Sequence, residues 1–195
     1  AERAKLLENS YRLVNISFVN EMAAACDGIG IDLWEVIDAA GTKPFGFQAF
    51  YPGPGAGGHC IPVDPLYWQW KASAAGFKSR FIELADTVNR EMAEYIVMQL
   101  CRRLPPDRRS GRFSVLLVGV AYKKGVGDVR ESPAVRVAEL LISRGATVAY
   151  YDPFVETFEV GGKPIPSADL TDAKLAETDC VVLMTDHAGL PIERI

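Results

Sequence analysis

The chain has 195 residues, and 49% of them are hydrophobic, so it can bury the core of one large domain or two small ones. The formal net charge of −4 argues against nucleic acid or an anionic membrane surface as the main partner. No run of about eighteen apolar residues is present, so the sequence predicts no membrane span. The cysteines form no Cys-x-x-Cys pair, which disfavours a metal site and suits a reducing, cytoplasmic location.

The first half of the chain is typical of helices around one long loop. Residues 1–27 carry apolar side chains at spacings of three and four, which predicts an amphipathic helix. Asp32 suits the N-cap of a short helix that continues to about Ala40. Residues 41–64 are rich in glycine, proline and aromatic residues and predict an ordered functional loop. Two further helices are expected over residues 65–75 and 79–104. The apolar stripe of the first helix consists of Leu7, Tyr11, Val14, Phe18 and Met22.

A different pattern follows the polar, proline-broken segment 105–111, which we interpret as the boundary between a domain at 1–106 and a domain at 112–195. The continuous apolar run 114–121 predicts a strand that is buried on both faces. The sequence therefore predicts an α/β fold, with a helical domain followed by a Rossmann-like β-α-β-α-β domain that contains a parallel sheet. Since a helix pattern begins at the last residues, we expect a further βα unit beyond them. The later elements are expected at 132–144, 146–151, 172–176 and 179–184.

The glycine-rich segment that ends in Cys60 is the most informative part of the sequence. Its glycines expose backbone N–H groups that could donate to the oxygens of a ligand. Cys60 follows directly, and Asp64 is expected to cap the next helix, whose dipole would favour a thiolate. A glycine-rich turn with a buried structural cysteine explains the same pattern. His59 is expected to be structural, because adjacent side chains usually point apart. The glycines concerned are Gly53, Gly55, Gly57 and Gly58.

Lys5 and Asn9 are four residues apart in the first predicted helix and therefore share one face. An ammonium and an amide on one face could stabilise an oxyanion and position a water molecule. From the spacing alone, a solvated helix surface is the simpler interpretation.

A third group of polar residues, 122–133, lies at the carboxyl end of the first predicted strand of the second domain, where open α/β sheets bind ligands. Ser132 suits a helix N-cap, and Pro133 suits the first helical position. Cations in this loop could receive a phosphate together with the helix N-terminus. A basic surface loop explains the same residues equally well. The cations are Lys123, Lys124 and Arg130.

These three groups, in this order, resemble motifs of the UDP-glucose/GDP-mannose dehydrogenase family. The pattern AExxKLxxN stands at residues 1–9 and GxGGxCxxxD at residues 55–64. An FxxKKGxGDxRES-type loop stands at 120–132, with Val120 where the family often has Phe, and Tyr-Asp-Pro stands at 151–153. The segments 42–47 and 51–55 look most like the UDP-N-acetylglucosamine 6-dehydrogenase branch, with UDP-N-acetylmannosamine dehydrogenases as near neighbours.

The resemblance implies three domains: an NAD-binding domain, a central helical domain that forms the dimer and a C-terminal UDP-binding domain. The last two are expected here, with the UDP-binding domain incomplete at its end. We expect NAD to be the cofactor, bound mainly by the first domain, so that this part alone would not turn over. The expected partners are a UDP-sugar and a second copy of the chain, which would bind through the long helices.

The same resemblance implies oxidation of a sugar C6 alcohol to a carboxylate, with Cys60 as the covalent nucleophile. Lys5 and Asn9 match the catalytic lysine and asparagine, and Asp64 matches an aspartate that orients water. Arg130 and Cys60 are expected near the cofactor. Substrate contacts are expected from both domains, with Lys43 acting across the dimer; besides Lys5 and Asn9 these residues are Lys43, Tyr51, Gly53, Gly55, Gly57, Tyr122 and Lys123.

Two other classes of function stay open at this point. One is a non-catalytic module for dimerisation and nucleotide binding. The other is an unrelated thiol hydrolase that uses Cys60 and His59. Within the dehydrogenase interpretation the sugar is expected to be UDP-N-acetylglucosamine, with UDP-N-acetylmannosamine and UDP-glucose as alternatives.

Overall fold

A computed structural model describes residues 2–109 and 112–195 of the chain. The contacts divide it into two units, of which the first ends at Met92 and the second runs from Ala93 to Ile195. Ala1, Ser110 and Gly111, which belong to predicted motifs or to the predicted linker, lie outside the described residues. The predicted domain boundary within residues 105–111 stays a prediction.

The first unit is built from helices and the long glycine-rich loop. Helices α1 (Glu2–Ile29), α2 (Leu33–Gly41) and α3 (Asp64–Ser73) are followed by α4 (Arg80–Arg103), which continues into the second unit. The predicted N-cap of α2 is confirmed, because a carboxylate oxygen of Asp32 accepts the N–H of Trp34 at 2.8 Å.

Helix α1 buries polar as well as apolar side chains, while several of its large apolar side chains are exposed. Its buried positions include Asn9, Ser17 and Asn20, and the hydroxyl of Ser17 donates to the carbonyl of Ala85 in α4 at 2.7 Å. The predicted apolar stripe is largely exposed within the chain: Leu7 is 74%, Phe18 63%, Tyr11 49% and Met22 39% exposed. This stripe contributes little to the core of its own unit.

The second unit contains a parallel sheet of three strands in the order β2-β1-β5, which confirms the predicted parallel β-α-β-α-β arrangement. A two-stranded antiparallel ribbon, β3-β4, was not predicted. The strands are β1 (Ser114–Val118), β2 (Thr147–Tyr151), β3 (Glu159–Val160), β4 (Lys163–Pro164) and β5 (Cys180–Leu183); the helices are α5 (Pro106–Arg109), α6 (Pro133–Ser143), α7 (Asp172–Ala176) and a 3-10 turn at Ile192–Arg194.

Strand β1 lies at the centre of the core and is buried on both faces, as its apolar run predicted. Val115 and Leu117 belong to the cluster that includes residues of α6 and the end of α4, whereas Leu116 and Val118 face the cluster around Leu170. The alternation follows from the period of two along a strand. The loop after β1 begins at the carboxyl end of this strand.

Asp179, which directly precedes β5, binds the first residue of β1. Its Oδ2 accepts the N–H of Ser114 at 2.8 Å, and Arg108 Nε lies 3.3 Å from its Oδ1. The N–H of Ser114, followed by the hydroxyl of Ser114 and the charge of Arg108, holds the pKa of Asp179 below its ordinary value of 3.8 although partial burial opposes this shift.

We expect Asp179→Asn to lower the free energy of unfolding at neutral pH, because the folded state favours the ionised carboxylate. A lowered pKa contributes stability that is present above pH 3.8 and is lost as the pH falls through the lower folded value. Urea titrations should therefore show a constant difference between the two proteins at neutral pH that narrows in acid below pH 3.8. Asp169→Asn, at an exposed position, is the matched control. A difference that stays unchanged in acid would contradict the assignment.

Candidate functional site

Cys60 stands in the turn that joins the glycine-rich loop to α3. Its carbonyl accepts the N–H groups of Val63 at 3.3 Å and Asp64 at 2.8 Å, which starts the helix. The residue is half-buried and its thiol is free. The local backbone therefore places a partly accessible sulfur just before the N-terminus of a helix.

The prediction that Asp64 caps α3 is wrong. Val63 occupies the N-cap position without a side-chain hydrogen bond, and Asp64 is the first helical residue. Its Oδ2 instead accepts the amide of Asn9 at 2.7 Å and lies 3.2 Å from Lys5 Nζ. Asp64 thereby joins α3 to α1.

Lys5, Asn9, Cys60 and Asp64 thus come together within the first unit. The pKa of Lys5 lies above its ordinary value of 10.5, chiefly because of the Asp64 carboxylate 3.2 Å away and then because of Cys60. The side chain of Lys5 is still 58% exposed and can be reached from solvent. The group combines a thiol, a permanent cation, an amide and a carboxylate, which suits nucleophilic attack on a polarised carbonyl.

Two asparagines that the sequence reasoning missed bind the glycine-rich loop. Asn20 Oδ1 in α1 accepts the N–H of Gly53 at 2.9 Å. Asn89 in α4 pairs with both polar groups of Ala56, accepting its N–H at 2.6 Å and donating to its carbonyl at 3.2 Å. Asn20 lies three helical turns after Asn9, on the same buried face. That spacing of polar residues inside an otherwise amphipathic helix is the signal that could have revealed Asn20.

The other predicted contacts of the first unit lie at its surface or in the loop. The hydroxyl of Tyr51 donates to Asp38 at 2.8 Å, and this carboxylate raises the pKa of Tyr51. Gly55 has a φ of +121°, a conformation that favours glycine, and Gly57 is half-buried. Lys43 is exposed in the turn after α2.

The predicted ligand loop of the second unit follows β1. Lys123 Nζ lies 5.6 Å from the ring centre of Tyr122. The guanidinium of Arg130 donates through two nitrogens to the carboxylate of Asp128, at 2.6 Å for the shorter contact. This carboxylate raises the pKa of Arg130. The predicted N-cap of α6 is confirmed, since the hydroxyl of Ser132 accepts the N–H of Ala134 at 3.3 Å.

Within residues 2–109 and 112–195, His, Cys, Asp and Glu side chains form no group of three that could hold a metal ion. No helix in this described part of the chain has the length and apolar character required to cross a membrane.

Two family models match the chain. Residues 1–91 match the central domain of the UDP-glucose/GDP-mannose dehydrogenase family, and residues 116–191 match the UDP binding domain of the same family.

Individual proteins agree with these matches. A UDP-N-acetyl-D-mannosamine dehydrogenase of Methanococcus maripaludis is 38% identical over 190 residues, which are 96% of this chain and 41% of the relative. An NDP-N-acetyl-D-galactosaminuronic acid dehydrogenase of Ralstonia nicotianae is 35% identical, over 96% of this chain and 43% of the relative. The structure of a UDP-D-ManNAc dehydrogenase from Pyrococcus horikoshii superimposes with a TM-score of 0.81 at 30% identity, over 97% of this chain and 43% of that one. The chain therefore spans less than half the length of these relatives.

Proposed function

Since this chain belongs to the UDP-glucose/GDP-mannose dehydrogenase family, we propose that it serves the NAD-dependent oxidation of the C6 alcohol of a UDP-sugar to a uronate. Cys60 is the covalent nucleophile of this proposal. The observation that carries it is the convergence of Cys60, Lys5, Asn9 and Asp64, with Asp64 Oδ2 bonded to Asn9 at 2.7 Å and lying 3.2 Å from Lys5.

The thiol acts on the C6 aldehyde. Cys60 sulfur forms a bond to the aldehyde carbon, the proton lost from the thiol is balanced by one taken up by the carbonyl oxygen, and the product is a thiohemiacetal. The ammonium of Lys5 and the amide of Asn9 stabilise the negative charge that develops on this oxygen. The adduct carries a hydrogen on the former aldehyde carbon. Removal of this hydrogen as a hydride, together with loss of the hydroxyl proton, converts the thiohemiacetal into a thioester.

Hydrolysis of the thioester completes the conversion. A water oxygen bonds to the acyl carbon, the carbon–sulfur bond breaks, and Cys60 recovers its proton as the carboxylate leaves. Asp64 is proposed to orient this water while Lys5 and Asn9 keep the carboxylate in place. The lysine and asparagine therefore serve both halves of the cysteine chemistry.

NAD supplies the hydride acceptor in this proposal. The described residues do not build a dinucleotide site: the connection between β1 and α6 runs from Gly119 to Ser132 and lacks the short glycine turn that receives a pyrophosphate. Cys60 and Arg130 are proposed to lie near the nicotinamide. Tyr122 and Lys123 are proposed to contact the UDP part, and Tyr51, Gly53, Gly55 and Gly57 the sugar and phosphates. Lys43 would act on the site of the partner copy.

We infer that the sugar is an N-acetylhexosamine, first of all N-acetylmannosamine. The names of the relatives from Methanococcus maripaludis and Pyrococcus horikoshii favour this sugar over the N-acetylglucosamine that the motif pattern predicted. Titration calorimetry should rank UDP-N-acetylmannosamine above UDP-N-acetylglucosamine and UDP-glucose, with GDP-mannose last. Tighter binding of GDP-mannose than of every UDP-sugar would contradict the proposal.

The alternative classes make different predictions for the same molecules. A non-catalytic module would bind UDP-sugars but form no adduct with their 6-aldehydes. A thiol hydrolase needs His59 as a base, yet His59 is exposed, and in the described part of the chain it has no hydrogen bond to Cys60. His59→Ala is therefore expected to leave adduct formation unchanged.

We also propose that the chain forms a homodimer through its long helices. The support is the exposed stripe of α1, with Leu7 and Phe18, and the exposed Phe81 and Leu84 at the start of α4. Phe18→Asp should halve the mass measured by sedimentation equilibrium. Phe45→Asp, at an exposed phenylalanine in the loop after α2, is the control. A monomeric unaltered chain would contradict the proposal.

A further inference from the structure

A buried aspartate–histidine pair lies behind the loop that carries Tyr122 and Lys123. Asp152 directly follows β2 and His187 follows β5, and both side chains are 0% exposed. His187 Nε2 lies 3.0 Å from Asp152 Oδ2. Neither the motif patterns nor the proposed chemistry gives His187 a role.

His187 also contacts the loop itself, through its other ring nitrogen. The backbone N–H of Gly125 donates to Nδ1 at 3.0 Å. Because Nδ1 accepts this bond, the neutral ring carries its proton on Nε2 and donates it to Asp152. The imidazole thereby bridges a buried carboxylate and the backbone of an exposed loop.

Asp152 binds the beginning of the same loop. Its Oδ2 accepts the N–H groups of Val120 at 2.7 Å and Ala121 at 3.0 Å, and its Oδ1 accepts that of Phe154 at 2.8 Å. Together with the imidazole, these donors satisfy a carboxylate that would be costly to bury alone. The cluster therefore links the segments that follow β1, β2 and β5.

Two glycines of the loop, Gly119 and Gly127, are packed too tightly for any side chain. A Cβ on Gly119 would lie 2.0 Å from the carbonyl oxygen of Thr185, and one on Gly127 would lie 2.2 Å from that of Phe154. Gly125 lies between these two glycines and is exposed, with a φ of +73°. Its bond to His187 joins this exposed part of the loop to a buried side chain.

We propose that His187 is a positioning residue for nucleotide binding. By fixing Gly125, it sets the path of the backbone that carries Tyr122 and Lys123 at the carboxyl end of β1. This inference rests on the proposed UDP-binding function of the second unit. Histidine suits the task because its two nitrogens face opposite sides of the ring, so that one accepts from the loop while the other donates to Asp152.

Two substitutions separate the two bonds of His187. His187→Asn places an amide oxygen near the position of Nδ1 and can keep the Gly125 bond. His187→Gln places an amide N–H near the position of Nε2 and can keep the Asp152 bond. Each variant loses one hydrogen bond, so a merely structural role would affect UDP binding equally in both.

Calorimetry with UDP on the whole chain measures the first consequence. We expect His187→Gln to weaken UDP binding about tenfold, as the loss of one hydrogen bond would, and His187→Asn to bind within about twofold of the unaltered chain. Equal affinities in the two variants, or a larger loss in His187→Asn, would overturn the inference.

Limited trypsin digestion supplies a second reading that needs no ligand. Cleavage after Lys123 and Lys124 should be about tenfold faster in His187→Gln than in His187→Asn, because the loop loses its buried anchor. Equal cleavage rates would overturn the inference. If the unaltered chain binds no UDP, the proposed function of the second unit fails, and the digestion alone then decides whether His187 fixes the loop.

Discussion

We expect the unaltered chain to form a covalent adduct with the 6-aldehyde of UDP-N-acetylmannosamine, and Cys60→Ala to abolish it. Addition of a thiol to an aldehyde expels no group, so native mass spectrometry should show an increase by the full mass of the aldehyde. Cys60→Ser should give no detectable adduct either, because a serine hydroxyl is a far weaker nucleophile than a thiol. Titration with UDP should be unchanged in both variants, because the proposed contacts of the UDP part are Tyr122 and Lys123 of the second unit.

Cys180→Ala is the matched control for this experiment. Burial, followed by the nearby Asp179 and Cys101, raises the pKa of the Cys180 thiol, so it resists ionisation. Its removal should leave the adduct intact. An adduct of full yield in Cys60→Ala, located at any other residue by peptide mapping, would contradict the assignment of the nucleophile.

Lys5→Met should slow adduct formation about 10²- to 10³-fold, the usual effect of removing one donor to a developing oxyanion. The methionine keeps a comparable length but lacks the charge that lies 3.2 Å from Asp64. The rate constant can be followed by stopped-flow loss of the aldehyde at saturating concentration.

The pH dependence of that rate provides an additional check. The raised pKa of Lys5 means that its interactions with Asp64 and Cys60 are complete below pH 10.5 and are lost only as the pH rises through the higher folded value. Lys5 should therefore add no pH dependence around neutrality. Lys78→Met, which removes an exposed lysine paired with Glu83 at 2.9 Å, should not change the rate. A similar loss in both variants would show that the effect of Lys5 is general electrostatics.

The sequence largely predicted which residues come together in the first unit, but not the geometry in which they do so. The motifs pointed to Lys5, Asn9 and Cys60, and their positions on a helix and in a glycine loop followed from local rules. The mistaken cap at Asp64 arose because a local rule was applied to a residue with distant partners. Its bond to Asn9 spans 55 positions of sequence, and no pattern within a single helix could reveal it.

The second unit shows the same division between local and distant information. Strand β1 and the start of α6 at Ser132-Pro133 could be predicted, because a strand buried on both faces and a helix cap are each encoded by adjacent residues. The short ribbon of β3 and β4 was missed, although Gly161 and Gly162, with φ values of +58° and +73°, form its turn. The role of His187 depends on segments that follow three different strands, and only the folded sheet brings them together.

The buried polar residues of α1 affect which substitutions the protein should tolerate. In most amphipathic helices, replacing a surface leucine is harmless and replacing a polar residue costs little. Here the inward positions Asn9, Ser17 and Asn20 bond to Asp64, Ala85 and Gly53 respectively, so exchanging them for larger apolar residues should damage the protein. A redesign that scored this helix by hydrophobicity alone would replace these three polar residues and remove the bonds that they make to the other segments of the unit.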